Sequence, residues 1–294
     1  FGHPSELSEL DPPIRRREVV AATSRALAAE AERGPTAVVF EDAERYDLPS
    51  LELLRRMVER RVGDARIVVV LDEDHARTWP ADCIRVRLDP LDADDLAFIV
   101  AQLQRAGQAG IPSVLQLTET TGGSAAHVEH LLRYLVEGGL LEQAPSSLPD
   151  LVAARLAILP RDTLVAIQAV AVFGTEAPPD AAGRISALGD ATGKALAVAV
   201  AAGLVTLNDE VVRFASALIR DVVYDATPAS VRRALHLGAI DELVAMGASA
   251  AVLGAHHEAA GNRASAVAQL AAAGDLAARQ LDEHGAALRR EFAA

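Results

Sequence analysis

The chain has 294 residues, enough for two or three domains with cores of their own. Hydrophobic residues make up 51% and aromatics only 3%, and alanine supplies much of the apolar fraction, which favours a mostly helical protein packed through small side chains. A formal charge of −13 with a single lysine, Lys194, argues against a nucleic-acid surface, the lone Cys83 rules out an intramolecular disulfide framework, and no secretory or spanning apolar run occurs, so a cytoplasmic protein is expected.

In chain order, residues 14–33 carry an apolar stripe at helical spacing and stop at Gly34-Pro35, a helix terminator followed by a strand start. Residues 36–54, TAVVFEDAERYDLPSLELL, are the most informative in the chain. An apolar strand over 36–41 ends in Glu41-Asp42, and an amphipathic helix follows over 48–61. That is the shape of a Walker B strand, which carries a carboxylate out of a parallel sheet at its C-terminal edge to hold Mg²⁺ or position a water. Glu41 and Asp42 occupy that edge, with Asp47 a little further on. Further strands are expected over 65–71 and 83–88, so the region reads as a parallel sheet covered by helices. No G-x-x-x-x-G-K-[ST] loop is present, and residues 189–195, GDATGKA, fit a helix cap better than a phosphate loop.

From Pro90 only helices are expected at first, over 91–105, 112–119 and 125–137, with Asp92, Asp94 and Asp95 in the first turn of the opening one. After the linker 143–149 come helices over 149–159, 162–173 and 191–202. Two short strands, 204–207 and 210–214, follow them, joined by Asn208-Asp209 in a hairpin. Three helices and a hairpin make a winged helix. Residues 215–225, 229–245, 248–260 and 263–281 then read as antiparallel helices that open a repeat array. On the helix 215–225, Leu218, Val222, Val223 and Tyr224 are expected to be buried. His256-His257 is read as structural, because neighbours on a helix point in different directions.

In order and spacing these segments resemble the STAND class of signal-transduction ATPases, in the bacterial branch found in large transcription activators and linked to kinases or cyclases. The resemblance rests on Glu41, Asp42, Asp47, Ser50 and Leu51 in the first segment, and on Gly122, Gly123, Val128 and Glu129 in TGGSAAHVEHLLRYL. It also rests on Arg213, Phe214, Ala217, Leu218, Arg220, Asp221 and Tyr224 in RFASALIRDVVY. It implies the C-terminal part of a P-loop-NTPase-like α/β core over 1–89, a helical lid over 90–142, a winged helix over 148–227 and the start of a TPR-like array over 228–294. It implies Glu41 and Asp42 at the catalytic position, with Asp42 the candidate Mg²⁺ ligand, and Asp47, Gly122, Gly123, Arg213 and Ser216 at positions facing ATP or ADP. Three departures mark the chain, the first being Glu44-Arg45 where the family has His-Trp. Ser124-Ala125 replaces the lid's Asn-Pro, and Ser216 replaces the histidine of the winged helix. A serine hydroxyl cannot carry the positive charge of an imidazolium.

The expected function is a regulatory switch and protein-interaction scaffold with a degenerate nucleotide site. Nucleotide and Mg²⁺ are expected only in a longer chain, and a protein partner is expected on the C-terminal helices. A kinase, cyclase or transcription-factor output domain is expected in the same chain or complex. Two other readings stand beside it: part of an active ATPase whose P-loop lies upstream of Phe1, and a winged-helix DNA reader, which Lys194 alone would have to serve on the helix 191–202.

Overall fold

The computed structural model describes residues 12–60, 65–80, 82–108, 110–208 and 210–276. The chain divides into two compact units, one taking in the residues up to Arg87 together with those from Gly274 on, and one spanning Leu88–Ala273. It is mostly helical, with a small parallel sheet. Among the described residues no helix is long and apolar enough to cross a membrane.

The first unit holds α1 (Pro12–Arg33), β1 (Ala37–Phe40), α2 (Leu48–Arg60), β2 (Arg66–Val69) and the one-turn α3 (Glu73–Ala76). β1 and β2 pair in parallel, Ala37 opposite Arg66 and Phe40 opposite Val69, with α2 as the crossover that parallel pairing requires. Alternation sorts the strands. Phe40, Ile67 and Val69 pack against Leu51, Leu54 and Val58 of α2, and Trp79 and Ala43 close that core. Val39, Val68 and Val70 point the other way and stay exposed. The strand expected over 83–88 does not form: Ile84 is 94% exposed and Val86 78%. Alternating apolar residues specify a strand only where a neighbour supplies the ladder, and neither β1 nor β2 pairs with this segment.

The second unit opens with α4 (Ala93–Arg105), α5 (Val114–Thr121) and α6 (Ala125–Val136). Leu96, Leu117, Val128, Leu131 and Tyr134 form their core. Next come α7 (Leu148–Ala157), α8 (Arg161–Phe173), β3 (Glu176–Ala177), α9 (Pro179–Ser186), α10 (Ala191–Ala201), β4 (Val205–Leu207), β5 (Val212–Phe214) and α11 (Ala217–Ala226). The strands form an antiparallel sheet in the order β3-β5-β4. β3 and α9 were not expected from the sequence, since a two-residue strand and a short helix opening on Pro178-Pro179 carry too little periodicity to read. The β4–β5 connection is longer than the expected two residues, and Asn208 closes it by accepting from the backbone of Glu210 and Val211 through Oδ1. α12 (Ala229–Ala245), α13 (Ala250–Ala259) and the helical residues 263–276 follow. At Gly254 the last of these comes so close that an added Cβ would lie 2.7 Å from Leu270 Cγ.

The large core of this unit is built on α8, whose residues from Ala166 to Val172 are all buried. On α11 the expected inward face is one position out of register. Ile219 and Val223 are buried, Leu218, Val222 and Tyr224 are half-buried, and Thr227 continues the inward stripe. The i, i+4 spacing from Ile219 brings Val223 and Thr227 onto one face, and Thr227 Oγ1 satisfies itself on Val223 O at 2.7 Å. Ile219→Ala is therefore expected to cost about 3 kcal/mol and Leu218→Ala about 1 kcal/mol or less, read from urea unfolding of the two variants. Equal losses would contradict this register.

Candidate functional site

In the first unit both strands present their C-terminal ends on the same side, as parallel strands must. Glu41 and Asp42 leave β1 there, both exposed. Asp42 adopts a left-handed backbone, φ 49° and ψ 39°, a conformation that aspartate tolerates better than most residues, and opens the 3-10 turn Ala43–Arg45 without a capping bond from its own side chain. The turn is tied back to the sheet by Ala43 N–H donating to Val70 O at 3.1 Å. Asp47 accepts from the backbone of Ser50 at 2.7 Å and is drawn below the usual carboxylate range by those Ser50 hydrogen bonds. Asp72, at the end of β2, is likewise lowered by accepting from His75 N, at 2.8 Å, and from the His75 ring. Asp72 thus caps α3, which turns its carboxylate toward its own helix. Among the described residues no group of three His, Cys, Asp or Glu has the placement of a metal site.

Gly122, Gly123, Arg213 and Ser216 lie in the second unit. Gly122 (φ 59°) ends α5 in the left-handed conformation. Gly123 (φ 77°) sits so tightly on the preceding segment that a Cβ there would lie 2.5 Å from Leu91 O, while its own carbonyl accepts from Leu91 N at 2.8 Å. Ser124 caps α6, and three residues on His127 is buried with Nε2 lacking a partner. Arg213 pairs with Glu176 across β5 and β3, Nε to Oε2 at 2.7 Å. Ser216 caps α11 by accepting from Ile219 N at 3.3 Å. No hydrogen bond or ion pair among the described residues joins the Gly122-Gly123 turn to Arg213 or Ser216.

The strongest polar cluster in the second unit was not expected. Arg155, on α7, has no exposed surface. Its guanidinium donates to both carboxylate oxygens of Glu137, at 2.9 and 2.6 Å, and to Ala202 O at 2.6 Å, and meets His130 Nδ1 at 2.8 Å. Burial, reinforced by the Arg155 charge, pushes the His130 imidazole below its ordinary range, which keeps it neutral and able to accept. These contacts join α6, α7 and the end of α10. Arg133 adds a second tie by lying over Gly203, where a Cβ would come within 2.5 Å of its Cζ. The sequence signal was a lone arginine inside an apolar helix, LVAARLAI.

A second buried cluster joins α11, α12 and α13. Tyr224 OH meets His236 Nε2 at 2.9 Å, and His236 Nδ1 meets His256 Nδ1 at 3.1 Å. The guanidiniums of Arg220 and Arg232 stack on the Tyr224 ring, 4.7 and 5.1 Å from its centre. Burial first, then the neighbouring His256 and the two arginines, lowers His236 to about 4.

No protein-family model matches the chain and no curated protein does. A solved structure does: a signal-transduction ATPase with numerous domains carrying a tetratricopeptide repeat sensor, from Pyrococcus horikoshii. It has a TM-score of 0.57 and 10% identity, over 87% of this chain and 36% of that one. The chain has a STAND-like fold. At this identity the likeness is one of fold, and the chain spans about a third of its solved neighbour's length.

Two outcomes follow. Arg155→Met leaves Glu137 and the Ala202 carbonyl without their shared donor, and is expected to lower stability by about 3 kcal/mol and to speed amide exchange in α6 and α10 alike. Exchange confined to α7 would contradict the tie. For His236 the folded form holds its proton less tightly than the unfolded one. Stability is therefore nearly full above about pH 6.5 and falls as pH drops toward about 4, by roughly 3 kcal/mol. A His236→Phe variant should lose most of that slope in unfolding measured across the same window.

Proposed function

We propose that the chain is a regulatory module of STAND type, a conformational switch and protein-interaction scaffold whose nucleotide site is degenerate. In this reading α4–α6 form the lid, α7, α8 and α10 with the β4–β5 hairpin form the winged helix within residues 148–227, and the helices from α12 onward open a TPR-like array. The STAND-like fold, with Ser124-Ala125 and Ser216 in place of the family's lid and winged-helix residues, is the observation that carries it.

Glu41 and Asp42, exposed at the sheet edge, fit the metal side of a nucleotide site, where one or two carboxylates hold Mg²⁺ against phosphate oxygens. The phosphate side has no counterpart among the described residues. The closest imitation, residues 189–195, places Asp190 at the N-cap of α10 and ties Thr192 Oγ1 to Gly189 O, so a carboxylate stands where phosphate would need donors. Ser216 and Ser124 each serve as helix caps. A bound ligand acts in such a switch by favouring one of two arrangements, and its differential affinity sets how far the balance moves.

Partner binding is assigned to the C-terminal helices. Val267 and Leu276 are more than half exposed there, while Leu270 is partly covered by Gly254. Leu281 lies outside the described residues. An output domain of kinase, cyclase or transcription-factor type would take the signal. The alternative of an active ATPase draws on the intact Glu41-Asp42 pair. The DNA reading is disfavoured by the net charge and by Lys194 as the sole base on α10.

This chain by itself is expected to show no saturable binding of a fluorescent ATP analogue up to about 1 mM with Mg²⁺ present, because backbone donors and a P-loop lysine supply most of the phosphate affinity in such sites. ATP turnover above that of a Glu41→Gln control would overturn the degenerate reading in favour of the active one.

A further inference from the structure

Between His236 on α12 and His256 on α13, two groups of the same kind meet. Their Nδ1 atoms are 3.1 Å apart, their ring centres are 4.8 Å apart, and both residues are buried. A hydrogen bond of that kind needs one ring nitrogen to donate and the other to accept, so at least one of the two imidazoles is neutral. With both protonated, two N–H groups point at each other and the bond is lost.

The surroundings oppose even the first added proton. On His236 burial acts first, followed by His256, Arg220 of α11 and Arg232 of α12, and together they hold the imidazole at about 4. On His256 burial acts first, followed by its neighbour His257, and lowers that ring as well. None of these neighbours is an acid. The carboxylates of the surrounding helices are placed on other partners: Asp221 accepts from Arg220 at 3.0 Å, Asp225 lies 3.9 Å from Arg232, and Glu242 and Asp180 act on Arg184 of α9. Arg233, Asp241 and Glu258 are exposed. α8, which also packs on α12, carries no charged side chain from Thr163 to Phe173, and the helical residues 263–273 carry only Arg263.

Little else holds α13 in place. It packs chiefly on α12, and its buried residues are Leu253, Gly254 and His256, so Leu253 is the one large apolar side chain it buries. α12 is anchored far better. It contributes Leu235, Ala239 and Leu243 to the large core, is tied to α9 by the two-pronged Arg184–Glu242 pair at 2.6 and 2.7 Å, and is tied to α11 by Arg232 Nη1 donating to Tyr224 O at 3.1 Å.

We propose that the His236–His256 contact is an acid-operated catch on the C-terminal helices: protonation of both rings releases α13 and residues 263–273 from α12, while α12 stays on α8 and α9. The catch is closed near neutral pH and opens as pH falls below the ordinary histidine range, because the released helices bind protons more tightly than the docked ones. That the surface offered to a partner then changes with acidity rests on the regulatory reading above, whereas the catch itself stands apart from it.

Amide hydrogen exchange of the full chain, followed by mass spectrometry and corrected for the intrinsic pH dependence of exchange, tests the catch. His236 alone, moving from about 4 in the docked form toward its ordinary value, permits up to about a thirtyfold loss of protection in α13 at about pH 5. Between about pH 7.5 and about pH 5, protection in α13 is expected to fall at least about fivefold further than protection in α8. A His236→Phe, His256→Leu double variant keeps the contact apolar and has no ring to protonate there, so its α13 protection should change less than about twofold over the same range. A second readout needs no variant: in the wild type the imidazole Cε1–H resonances of His236 and His256 should titrate at the pH where α13 loses protection. Undiminished protection of α13 at the lower pH, equal losses in α8 and α13, rings that protonate while α13 stays protected, or an unchanged pH dependence in the double variant would each overturn the proposal.

Discussion

Arg155 is the constraint on which the second unit depends. α7 contributes Leu151 to the core of α4–α6 and Val152 and Leu156 to the large core built on α8, so a single helix stands in two hydrophobic cores at once. Between those layers lies a guanidinium with no contact to water. Removing such a charge from solvent is costly, and the cost is offset only because Glu137, Ala202 O and a neutral His130 together occupy its donors. The cores and the ion pair therefore enforce each other. The apolar packing holds the partners at hydrogen-bonding distance, and the ion pair penalises any sliding of α6 past α10. Motion in the proposed switch is consequently more costly within the α6–α7–α10 assembly than along segments that lack such ties.

At the positions where the STAND resemblance expects contact with nucleotide, polar side chains are occupied by local structure. Ser216 caps α11, Asp47 holds Ser50 and Arg213 pairs with Glu176; beside them, Ser124 caps α6 and Asp72 caps α3. Capping is what serine and aspartate do well at helix starts, and it needs no ligand. The two carboxylates at the end of β1 differ from these. Asp42 is held in a left-handed backbone conformation by the turn it opens, and its side chain makes no cap. A non-glycine residue in that region carries backbone strain, and such outliers gather where a side chain is being aimed. Asp42 is accordingly the residue whose geometry owes least to helix capping.

Most helices and both parallel strands were legible because their apolar residues recur at the period of the element, as in AVVF, RIVV and the run from Arg161 to Phe173. The failures share a cause. The segment with Ile84 and Val86 has strand periodicity and no strand beside it. The inward face of α11 was misplaced by one residue because Leu218 and Ile219 are equally apolar, and only packing against α7 and α8 selects between them. β3 is two residues long and exists through its pairing with β5. In each case tertiary contact decides what local pattern leaves open. The candidate site was legible as a set of motifs. Its buried polar groups were not, because Arg155, Gln168, His236 and His256 are single polar residues in apolar helices and sequence does not say which neighbours will satisfy them.

The extended stretch around Ile84 and Val86 has a practical consequence. Close to it in sequence is a two-stranded sheet whose Val39, Val68 and Val70 are also exposed, so among the described residues this part of the molecule carries both apolar side chains and backbone groups outside any ladder. Such surfaces are templates for strand addition, and they act on whichever chain is nearest. In a concentrated preparation the nearest chain is another copy. Exposed valines and an isoleucine favour self-association, while the charge of −13 supplies the long-range repulsion that keeps copies apart at low ionic strength and loses its reach as salt is added.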